Sequence, residues 1–574
     1  MTIWINYLDQ ILIFSIYALS LNLLLGYAGQ VSVAHAAFGA VGGYTVVHYT
    51  TTHEMSFLLA LFIGVVFATV FGTLLALASM RLTVEFLVLM TLAIGQVLIG
   101  VISTYSWLGA SFGITTGVPA ASFFGWEVDT PREWIVPLLI MASITYFICQ
   151  RIGESAYGRV LKGIREDEQA TQSLGKNVFR AKVIVFAVST GLAGLAGGLY
   201  AGYFRLAKPQ AFEFGISIAI FTMVVVGGQG NLAGSVLGAA LVILAEPFFE
   251  RAVSLSPENA GIVRLVLYGS LLLIVIMVRP QGLLPEGKRI IGKPKPPPAG
   301  LRHVSATAND VVGGDAADPS EPVLVVSGLS KSFGGIVAAE ELEFRLHPAE
   351  ITALVGPNGA GKTTVFNLLT GFIAADQGSV LLRGQELVGN TPDAVARSGM
   401  VRSFQDVRLF SRLTCLDNVA MAAPHQSGER FDQIWTRPGP AAADAVRARE
   451  LGMHWLEFVG LADQALTPAA DLGYGEAKLV ALARVMATEA PVLLLDEPAS
   501  GIDTEWVERM KELIARVRDE GRTVCLVEHN LHVVEALADR GYFMELGRIT
   551  AEGTMQELMS DPRLAAAYFG AEHG

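Results

Sequence analysis

Gly356-Pro357-Asn358-Gly359-Ala360-Gly361-Lys362-Thr363-Thr364 is the stretch that decides the fold of the C-terminal half of this chain. It fits the pattern G-x-x-x-x-G-K-[ST], in which backbone N–H groups and a helix N-terminus hold phosphate oxygens. An apolar, strand-like run precedes it and a helix-like run follows it. We therefore expect a nucleotide-binding α/β domain, with Lys362 on the β- and γ-phosphates of ATP and Thr363 on Mg²⁺.

A second apolar run ends in two acids, Asp496 and Glu497. The run, Val492 to Leu495, has the composition of a strand buried in a parallel sheet. One carboxylate at such a strand end can hold Mg²⁺, and the next can orient the attacking water. We expect Asp496 to take the first role and Glu497 the second.

Two further side chains are candidates because of where they lie along the chain. His529 follows the apolar run 523–527, and from that strand end it can reach a γ-phosphate. A purely structural histidine is the alternative. Phe333 lies upstream of the phosphate loop, where it can either stack on adenine or pack into the core.

The N-terminal half has the composition of a membrane domain. The chain of 574 residues is 52% hydrophobic and only 16% charged, whereas soluble proteins are about a quarter charged. Charged residues are scarce before residue 150, which predicts an all-α polytopic transmembrane bundle of about nine spans. The spans are expected at about 3–25, 31–49, 56–79, 83–104, 133–150, 182–204, 214–228, 233–250 and 262–279.

A chain of this length requires more than one domain. We predict a transmembrane domain over residues 1–285, a proline-rich and disordered linker over 286–321, and an α/β P-loop ATPase domain over 322–574. The basic residues that begin the linker suit the anionic lipids of an inner leaflet. The net charge of −12 argues against nucleic acid as a partner.

Basic residues predict the orientation in the membrane. The 151–182 loop is rich in lysine and arginine and should be cytoplasmic, whereas the 105–132 loop carries only Arg132 and should be external. This orientation places residue 280, and therefore the ATPase, on the cytoplasmic side.

Polar side chains inside the apolar spans are candidates for a solute path, because such groups are costly in lipid and are often functional. Interhelical hydrogen bonding is the alternative for the amides of residues 22 and 96, and interfacial exposure is the alternative for the acid at 246. The candidates are Asn22, Gln30, His35, Gln96 and Glu246.

Residues 322–574 resemble an ATP-binding-cassette (ABC) ATPase. Arg402-Ser403-Phe404-Gln405 resembles the Q-loop, and Ala499-Ser500-Gly501-Ile502-Asp503 matches the D-loop with its Ser500 and Asp503. The segment Leu472-Gly473-Tyr474-Gly475-Glu476 falls where the family signature L-S-G-G-Q lies, which caps ATP bound on a partner cassette.

The resemblance also implies roles for single residues. Gln405 should sense the γ-phosphate, help to hold Mg²⁺ and couple to the membrane domain. His529 corresponds to the switch histidine, and Phe333 to the aromatic residue that stacks on adenine.

A closer resemblance is to Liv-type importers of branched-chain amino acids. In the ATPase it is carried by the tracts 356–371 and 402–410, and in the permease by Ala18 to Ser32, 163–168 and 279–283. The chain therefore resembles a fusion of two subunits that are usually separate.

This resemblance implies ATP-driven import of branched-chain amino acids or related small polar solutes across the bacterial inner membrane. ATP and Mg²⁺ are the implied cofactors. A second permease, a second ABC ATPase and an extracytoplasmic solute-binding protein are the implied partners. The alternatives are an importer of urea, amides or other small acids, half of an ABC exporter, and a membrane-tethered regulatory ATPase.

The signature departs from the family pattern at two positions. Gly473 replaces the serine and has no hydroxyl, and Glu476 replaces the glutamine and adds a negative charge near a polyanion. We expect this signature to cap ATP poorly, which favours pairing with a different cassette over a homodimer.

Overall fold

A computed structural model describes residues 2–80, 82–253, 260–286, 321–561 and 563, without the side chains of residues 2, 246–253 and 260–265. The predicted linker lies almost entirely outside the described residues. The described chain forms two compact units. The first contains residues up to 165, 178–286 and 429–436, and the second contains 166–177, 321–428 and 437–563.

The first unit is built from apolar helices, with one helix at each of the nine predicted span positions among the described residues. The first helix ends in a π-helical turn, Leu23–Tyr27. A short hairpin of strands β1 (Ala121–Phe123) and β2 (Trp126–Val128) lies between the fourth and fifth helices. The helices are α1 (Thr2–Asn22), α2 (His35–Thr52), α3 (Phe57–Ser79), α4 (Val84–Thr104), α5 (Pro131–Glu154), α6 (Ala156–Glu166), α8 (Val178–Phe204), α9 (Phe214–Gly227), α10 (Leu232–Val253) and α11 (Ala260–Val278).

Six helical segments in the described part of the chain are long and apolar enough to cross a membrane, which is fewer than the nine predicted. In α10 and α11, side chains are described only over the apolar pieces Leu232–Ala245 and Val266–Val278, which are shorter than a span. Helix α2 is absent from the set because its sequence mixes apolar residues with histidines, threonines and glycines. The first unit is thus a multi-pass bundle of about six spans.

Small residues let these helices approach closely. A Cβ added at Gly42 of α2 would collide with the carbonyl oxygen of Gly194 in α8, and one at Gly197 would collide with that of Gly39. Backbones in contact at small residues are a common way to join helices in lipid, where no hydrophobic effect pulls them together.

The second unit is an α/β domain with two sheets. The larger has six strands in the order β12-β11-β5-β10-β9-β8, and all neighbours are parallel except the edge strand β12. The smaller is antiparallel, in the order β4-β3-β6-β7. The strands are β3 (Leu324–Phe333), β4 (Ile336–Leu346), β5 (Ile351–Val355), β6 (Gln377–Leu382), β7 (Gln385–Glu386), β8 (Met400–Arg402), β9 (Val492–Asp496), β10 (Thr523–Val527), β11 (Arg540–Glu545) and β12 (Arg548–Gly553).

Helices cover this sheet on both faces, as expected for buried parallel strands. Strands β5, β9 and β10 are buried at every position. The helices of the second unit are α7 (Glu168–Ser173), α12 (Lys362–Leu369), α13 (Pro392–Arg397), α14 (Cys415–Ala420), α16 (Pro438–Phe458), α17 (Tyr474–Met486), α18 (Thr504–Asp519), α19 (Leu531–Leu537) and α20 (Met555–Ser560). Helix α15 (Phe431–Thr436) belongs to the first unit.

The segment 166–177 packs within the second unit. The Glu166 carboxylate accepts hydrogen bonds from the Ser411 hydroxyl at 3.0 Å and from the Arg412 N–H at 3.1 Å. Arg408 donates to the side chain of Gln169 at 2.7 Å. A short piece of chain rich in charge is thereby held by residues 408–412, which follow Gln405 in the sequence.

Candidate ATPase site

The carboxyl ends of four adjacent parallel strands carry the predicted catalytic groups. Strands β5, β10, β9 and β8 lie side by side, so the segments that follow them meet at one edge of the sheet. These segments are the phosphate loop, His529, Glu497 and Gln405, in that order. Carboxyl ends of strands in open α/β sheets are where ligands bind.

The phosphate loop runs from β5 to the N-terminus of α12. Gly356 and Gly361 both have positive φ, 154° and 105°, and a Cβ at Gly361 would lie 2.5 Å from the Ala338 carbonyl oxygen. Glycine is therefore required for this turn. The Lys362 ammonium folds back on its own loop and donates to the carbonyls of Gly356 at 2.7 Å and Pro357 at 2.9 Å.

Burial lowers the pKa of Lys362, and the nearby carboxylates of Glu497 and Asp496 oppose that shift. The hydroxyl-bearing side chain of Thr363 is exposed beside it. The loop thus presents a cation and a hydroxyl at a helix N-terminus, which are the groups that phosphate and its metal need.

Glu497 is the centre of a hydrogen-bonded group. Its Oε2 accepts from the Gln405 amide at 2.8 Å, and its Oε1 lies 2.9 Å from Nε2 of His529. Both of its oxygens are therefore aimed at the two side chains that the sequence also placed in the site. Glu497 has a φ of +46°, which is unusual for a residue other than glycine and is characteristic of functional sites.

Asp496 lies directly before it and is almost fully buried. One of its oxygens, Oδ2, accepts from the Arg402 guanidinium at 2.6 Å, whereas Oδ1 is buried with no hydrogen-bond partner. Burial raises the pKa of Asp496, and Arg402 opposes that shift. A buried carboxylate oxygen without a partner, the hydroxyl of Thr363 after the phosphate loop and the amide oxygen of Gln405 after β8 are oxygen ligands of the kind that Mg²⁺ prefers.

The signature segment forms the start of α17. Gly473 is the N-cap, and the Glu476 carboxylate accepts from the Gly473 N–H at 2.9 Å and from the Gln464 side chain. An acid at N3 that bonds the N-cap N–H is a stabilising arrangement for a helix start. It also sets a negative charge where the family pattern has a neutral amide.

The remaining predicted residues lie on neighbouring loops. The Ser500 N–H donates to the Glu497 carbonyl at 3.2 Å, and Asp503 is the N-cap of α18. Phe333, at the end of β3, is 45% exposed, so its ring is free to stack on a base. The Lys331 ammonium lies 5.4 Å from its centroid.

Three buried charges in this site, at residues 402, 478 and 528, have roles that the sequence did not predict, although residue 402 lies in the Q-loop tract. Arg402 holds Asp496, Lys478 donates to the carbonyls of Gln405 and Glu497, and Glu528 accepts from the Ala499 N–H at 2.7 Å. Each lies within three residues of a motif position, and each is a charge in an otherwise buried strand end or helix. A charged residue at a buried position beside a motif is therefore the sequence signal that indicates such a role.

Three of the candidates for the solute path form hydrogen bonds within the helical bundle. The Asn22 amide donates to the Ser235 hydroxyl at 2.8 Å and accepts from the Gly230 N–H at 2.9 Å, and His35 Nε2 lies 2.8 Å from the Ser20 hydroxyl. Gln30 donates to the Met80 sulfur, and its Oε1 is buried with no partner. Gln96 lines a small pocket with Ser217.

Glu246 lies in α10, but its side chain is outside the described residues. Of the other four candidates, Asn22 bridges helices in the way expected for the alternative interpretation, interhelical hydrogen bonding. His35 is similarly engaged. Gln30 keeps an unused acceptor.

Comparison with known proteins separates the same two regions. Residues 3–276 match the family described as the permease component of branched-chain amino acid transport systems, and residues 339–500 match the ABC transporter family.

The cassette is similar to curated proteins along nearly their whole length. It is 39% identical to LivG of Escherichia coli strain K12, a high-affinity branched-chain amino acid transport ATP-binding protein, over 44% of this chain and 99% of LivG. It is 36% identical to BraF of Pseudomonas aeruginosa, which has the same description, over 44% of this chain and 99% of BraF.

A solved nucleotide-free ATP-binding cassette from an ABC transporter is 26% identical, with a TM-score of 0.38, over 43% of this chain and 99% of that chain. The sequence relationships carry the assignment. The permease match, the ABC match and the spanning helices identify a multi-pass membrane protein that binds nucleotide and couples ATP hydrolysis to transport. The chain belongs to the ABC transporter family, as a Liv-type permease domain and ATP-binding cassette joined in one polypeptide.

Proposed function

We propose that this chain is one half of an importer that uses ATP hydrolysis to move branched-chain amino acids across the bacterial inner membrane. The observation that carries the proposal is the order of matches along the chain, a branched-chain amino acid permease region followed by a LivG-like cassette. LivG and BraF are both described as high-affinity branched-chain amino acid transport proteins, which favours this solute class over urea or amides.

In the proposed reaction, Lys362 exchanges its two loop carbonyls for the β- and γ-phosphate oxygens of ATP. Glu497 orients the attacking water with a carboxylate that Gln405 and His529 hold from either side. Phe333 offers an exposed ring to adenine. Positioning and charge stabilisation of this kind account for most of the acceleration of phosphoryl transfer.

Mg²⁺, when bound, neutralises phosphate charge during transfer. Asp496, Thr363 and Gln405 are the residues proposed to hold it. The unpartnered Oδ1 of Asp496 and the exposed Thr363 side chain support this assignment.

The cassette is proposed to lie in the cytoplasm, where ATP is available. The lysines and arginines between residues 151 and 182 support this orientation through the positive-inside rule. The same rule assigns the 105–132 hairpin region to the external side, where a solute-binding protein would deliver its ligand.

The partners are proposed to be a second permease and a second, different cassette, together with an extracytoplasmic solute-binding protein. Gly473 lacks the hydroxyl of the family signature, and the Glu476 carboxylate lies at the helix start that would face the partner's γ-phosphate. Losing a hydrogen bond to a charged group costs about 1.5–3 kcal/mol, or roughly ten- to a hundredfold in affinity. A homodimer would have two such weakened sites, whereas a heterodimer can keep one intact.

The solute class is tested by ATPase stimulation. The assembled complex, in lipid vesicles, is mixed with its solute-binding protein loaded with leucine, with urea or with no ligand. The proposal predicts a several-fold higher ATPase rate with the leucine-loaded protein than with the other two. Stimulation by urea and not by leucine would assign the importer to the alternative class.

The heteromeric assembly is tested in parallel by measuring ATPase activity of this chain alone and together with a second, different Liv-type cassette. Full, solute-stimulated activity from this polypeptide without another cassette would refute the heterodimer.

A further inference from the structure

Lys478 donates hydrogen bonds to the main chains of two separate segments of the cassette. It lies in α17, is buried, and its ammonium donates to the main-chain carbonyls of Gln405 at 2.8 Å and Glu497 at 2.9 Å. These two residues belong to segments that follow different strands, β8 and β9. One side chain therefore ties the backbones of both.

The two residues are also joined through their side chains. The Gln405 amide donates to the Glu497 carboxylate at 2.8 Å, so Lys478 fixes the main chains of a pair whose side chains already touch. Glu497 needs such support because its positive φ of 46° is costly for a residue with a Cβ and persists only where the surroundings impose it. The direction of its carboxylate depends on that backbone.

Lys478 also contacts the signature segment, through Tyr474. Tyr474 is the first residue of α17 and lies one turn before Lys478, whose ammonium is 5.7 Å from the centroid of the tyrosine ring. Residues at i and i+4 face the same side of a helix, so this contact is built into the sequence spacing. Tyr474 itself lies between Gly473 and Gly475, the residues expected to meet a partner's nucleotide.

The charge environment favours an ammonium at this point. Burial lowers the pKa of Lys478, and four carboxylates oppose that shift, those of Glu528, Glu497, Asp406 and Asp496 in decreasing order. A buried cation surrounded by the acids of the hydrolysis site holds them through charge as well as through its two hydrogen bonds.

We propose that Lys478 is a positioning residue that couples the signature helix to this chain's own Gln405–Glu497 pair. The inference rests on the proposed function, because it requires a second cassette whose nucleotide meets residues 473–475. When that nucleotide engages the start of α17, the displacement is passed over one helical turn to Lys478 and from there to the backbone of Glu497. Lys478 thus connects the site that would bind the partner's nucleotide to the hydrolysis site of this chain.

The test uses the assembled complex in lipid vesicles and three variants of one side chain. Lys478→Met keeps the aliphatic stem and removes every donor. Lys478→Gln keeps the two N–H donors of a neutral amide without the charge, and Lys478→Arg keeps the charge and several donors. Lys511→Met, a half-buried lysine of α18 that pairs with the exposed Glu508, is the matched control. ATPase kcat, KM for ATP and the thermal shift produced by ATP are measured for each.

We expect Lys478→Met to lower kcat about 10- to 100-fold while KM for ATP stays within about threefold, since the lost bonds position Glu497 and do not touch nucleotide. Lys478→Arg should recover most of kcat, Lys478→Gln should be intermediate, and the control should match the wild type. If Lys478→Met does not fold, as its thermal transition would reveal, Lys478→Gln and Lys478→Arg give the same comparison.

Two combined variants test the coupling itself. In a Glu497→Gln background, Lys478→Met should cause no further loss of kcat, because Lys478 acts through Glu497. Tyr474→Leu and Lys478→Met together should likewise lose no more than the greater single loss. Additive losses in either pair, a kcat within threefold of the wild type in Lys478→Met, or failure of Lys478→Arg to recover kcat would overturn the proposal. Failure of the proposed transport function would appear separately, as a wild-type complex that hydrolyses ATP without moving solute.

Discussion

The guanidinium of Arg402 lies 2.6 Å from a carboxylate oxygen of Asp496, and both side chains are at most 3% exposed. Arg402 ends strand β8 and Asp496 ends strand β9, so the pair joins two neighbouring strands at the edge where the phosphate loop lies. The arginine also stacks near the rings of Phe366 and Phe404. The predicted metal ligand is therefore oriented by a cation that belongs to the Q-loop tract but for which the sequence predicted no role.

Removing this arginine should be strongly destabilising. Arg402→Met leaves a buried carboxylate without its partner, and breaking a buried ion pair in this way typically costs about 3–5 kcal/mol. Thermal unfolding of the purified chain should show a clear loss of stability for the cassette transition. Arg548→Met, which removes an exposed partner of Glu340 within the same unit, is the matched control and should change the stability far less, because exposed ion pairs contribute little. Equal effects of the two substitutions would contradict a structural role for the buried pair.

The hydrolysis assignment predicts a separation of binding from turnover. Glu497→Gln keeps the size of the side chain and its contact with the Gln405 amide region but removes the charge that orients water. ATP binding should persist while kcat in the assembled complex falls by roughly 10²- to 10⁴-fold. Glu505→Gln, on the exposed first turn of α18, should leave turnover unchanged. Wild-type turnover in Glu497→Gln would remove Glu497 from the mechanism.

Glu528 gives a prediction about pH. Burial raises its pKa, and hydrogen bonds from the main-chain N–H groups of Ala499, Asn530 and His529 oppose the shift. Because the folded pKa is raised above the ordinary value of 4.5, the folded state binds the proton more tightly. The contribution of Glu528 to the free energy of unfolding is therefore fully present below about pH 4.5, and it is lost as the pH rises through the pKa of the folded state.

Glu528→Gln removes this titration while its amide oxygen can still accept from Ala499. Its melting temperature, relative to the wild type, should therefore increase between about pH 4.5 and pH 8. Exposed Glu535→Gln provides the control for general effects of pH. If the difference in melting temperature between Glu528→Gln and the wild type were constant over this range, the pKa of the Glu528 carboxyl would not be raised in the folded state.

The sequence was sufficient to predict most of the cassette. The phosphate loop, the acids after β9 and the histidine after β10 follow buried apolar runs, and parallel strands bring their ends together at one edge. The signal is local and strong at each of these positions. Lys478 and Arg402 could not be predicted in the same way, since their partners are main-chain carbonyls and a carboxylate more than fifteen residues away.

The membrane half was less predictable. All nine predicted helix positions are occupied among the described residues, and six of these segments have the length and hydropathy of spans, whereas α2 does not. Composition could not reveal that glycines let α2 and α8 approach to backbone contact. Polarity alone predicts the solute path candidates, but Asn22 and His35 form hydrogen bonds with residues of other helices.

The orientation is open to a direct labelling experiment. Glu127, in the hairpin, and Glu154, at the end of α5, are both exposed, so cysteines there should react with a soluble thiol reagent. The native cysteines are free and buried, which keeps the background low. In intact spheroplasts, an impermeant reagent should label Glu127→Cys but not Glu154→Cys, and detergent permeabilisation should expose both. Labelling of position 154 alone in intact spheroplasts would reverse the proposed orientation.

The central claim is that this polypeptide couples ATP hydrolysis to the import of branched-chain amino acids. The most direct measurement is uptake of radiolabelled leucine into vesicles that contain the assembled complex, with leucine-loaded solute-binding protein on one side and ATP on the other. Uptake should require ATP, should be abolished by Lys362→Ala, and should be competed by isoleucine and valine but not by urea. ATP hydrolysis by the same vesicles without accumulation of leucine would contradict the account.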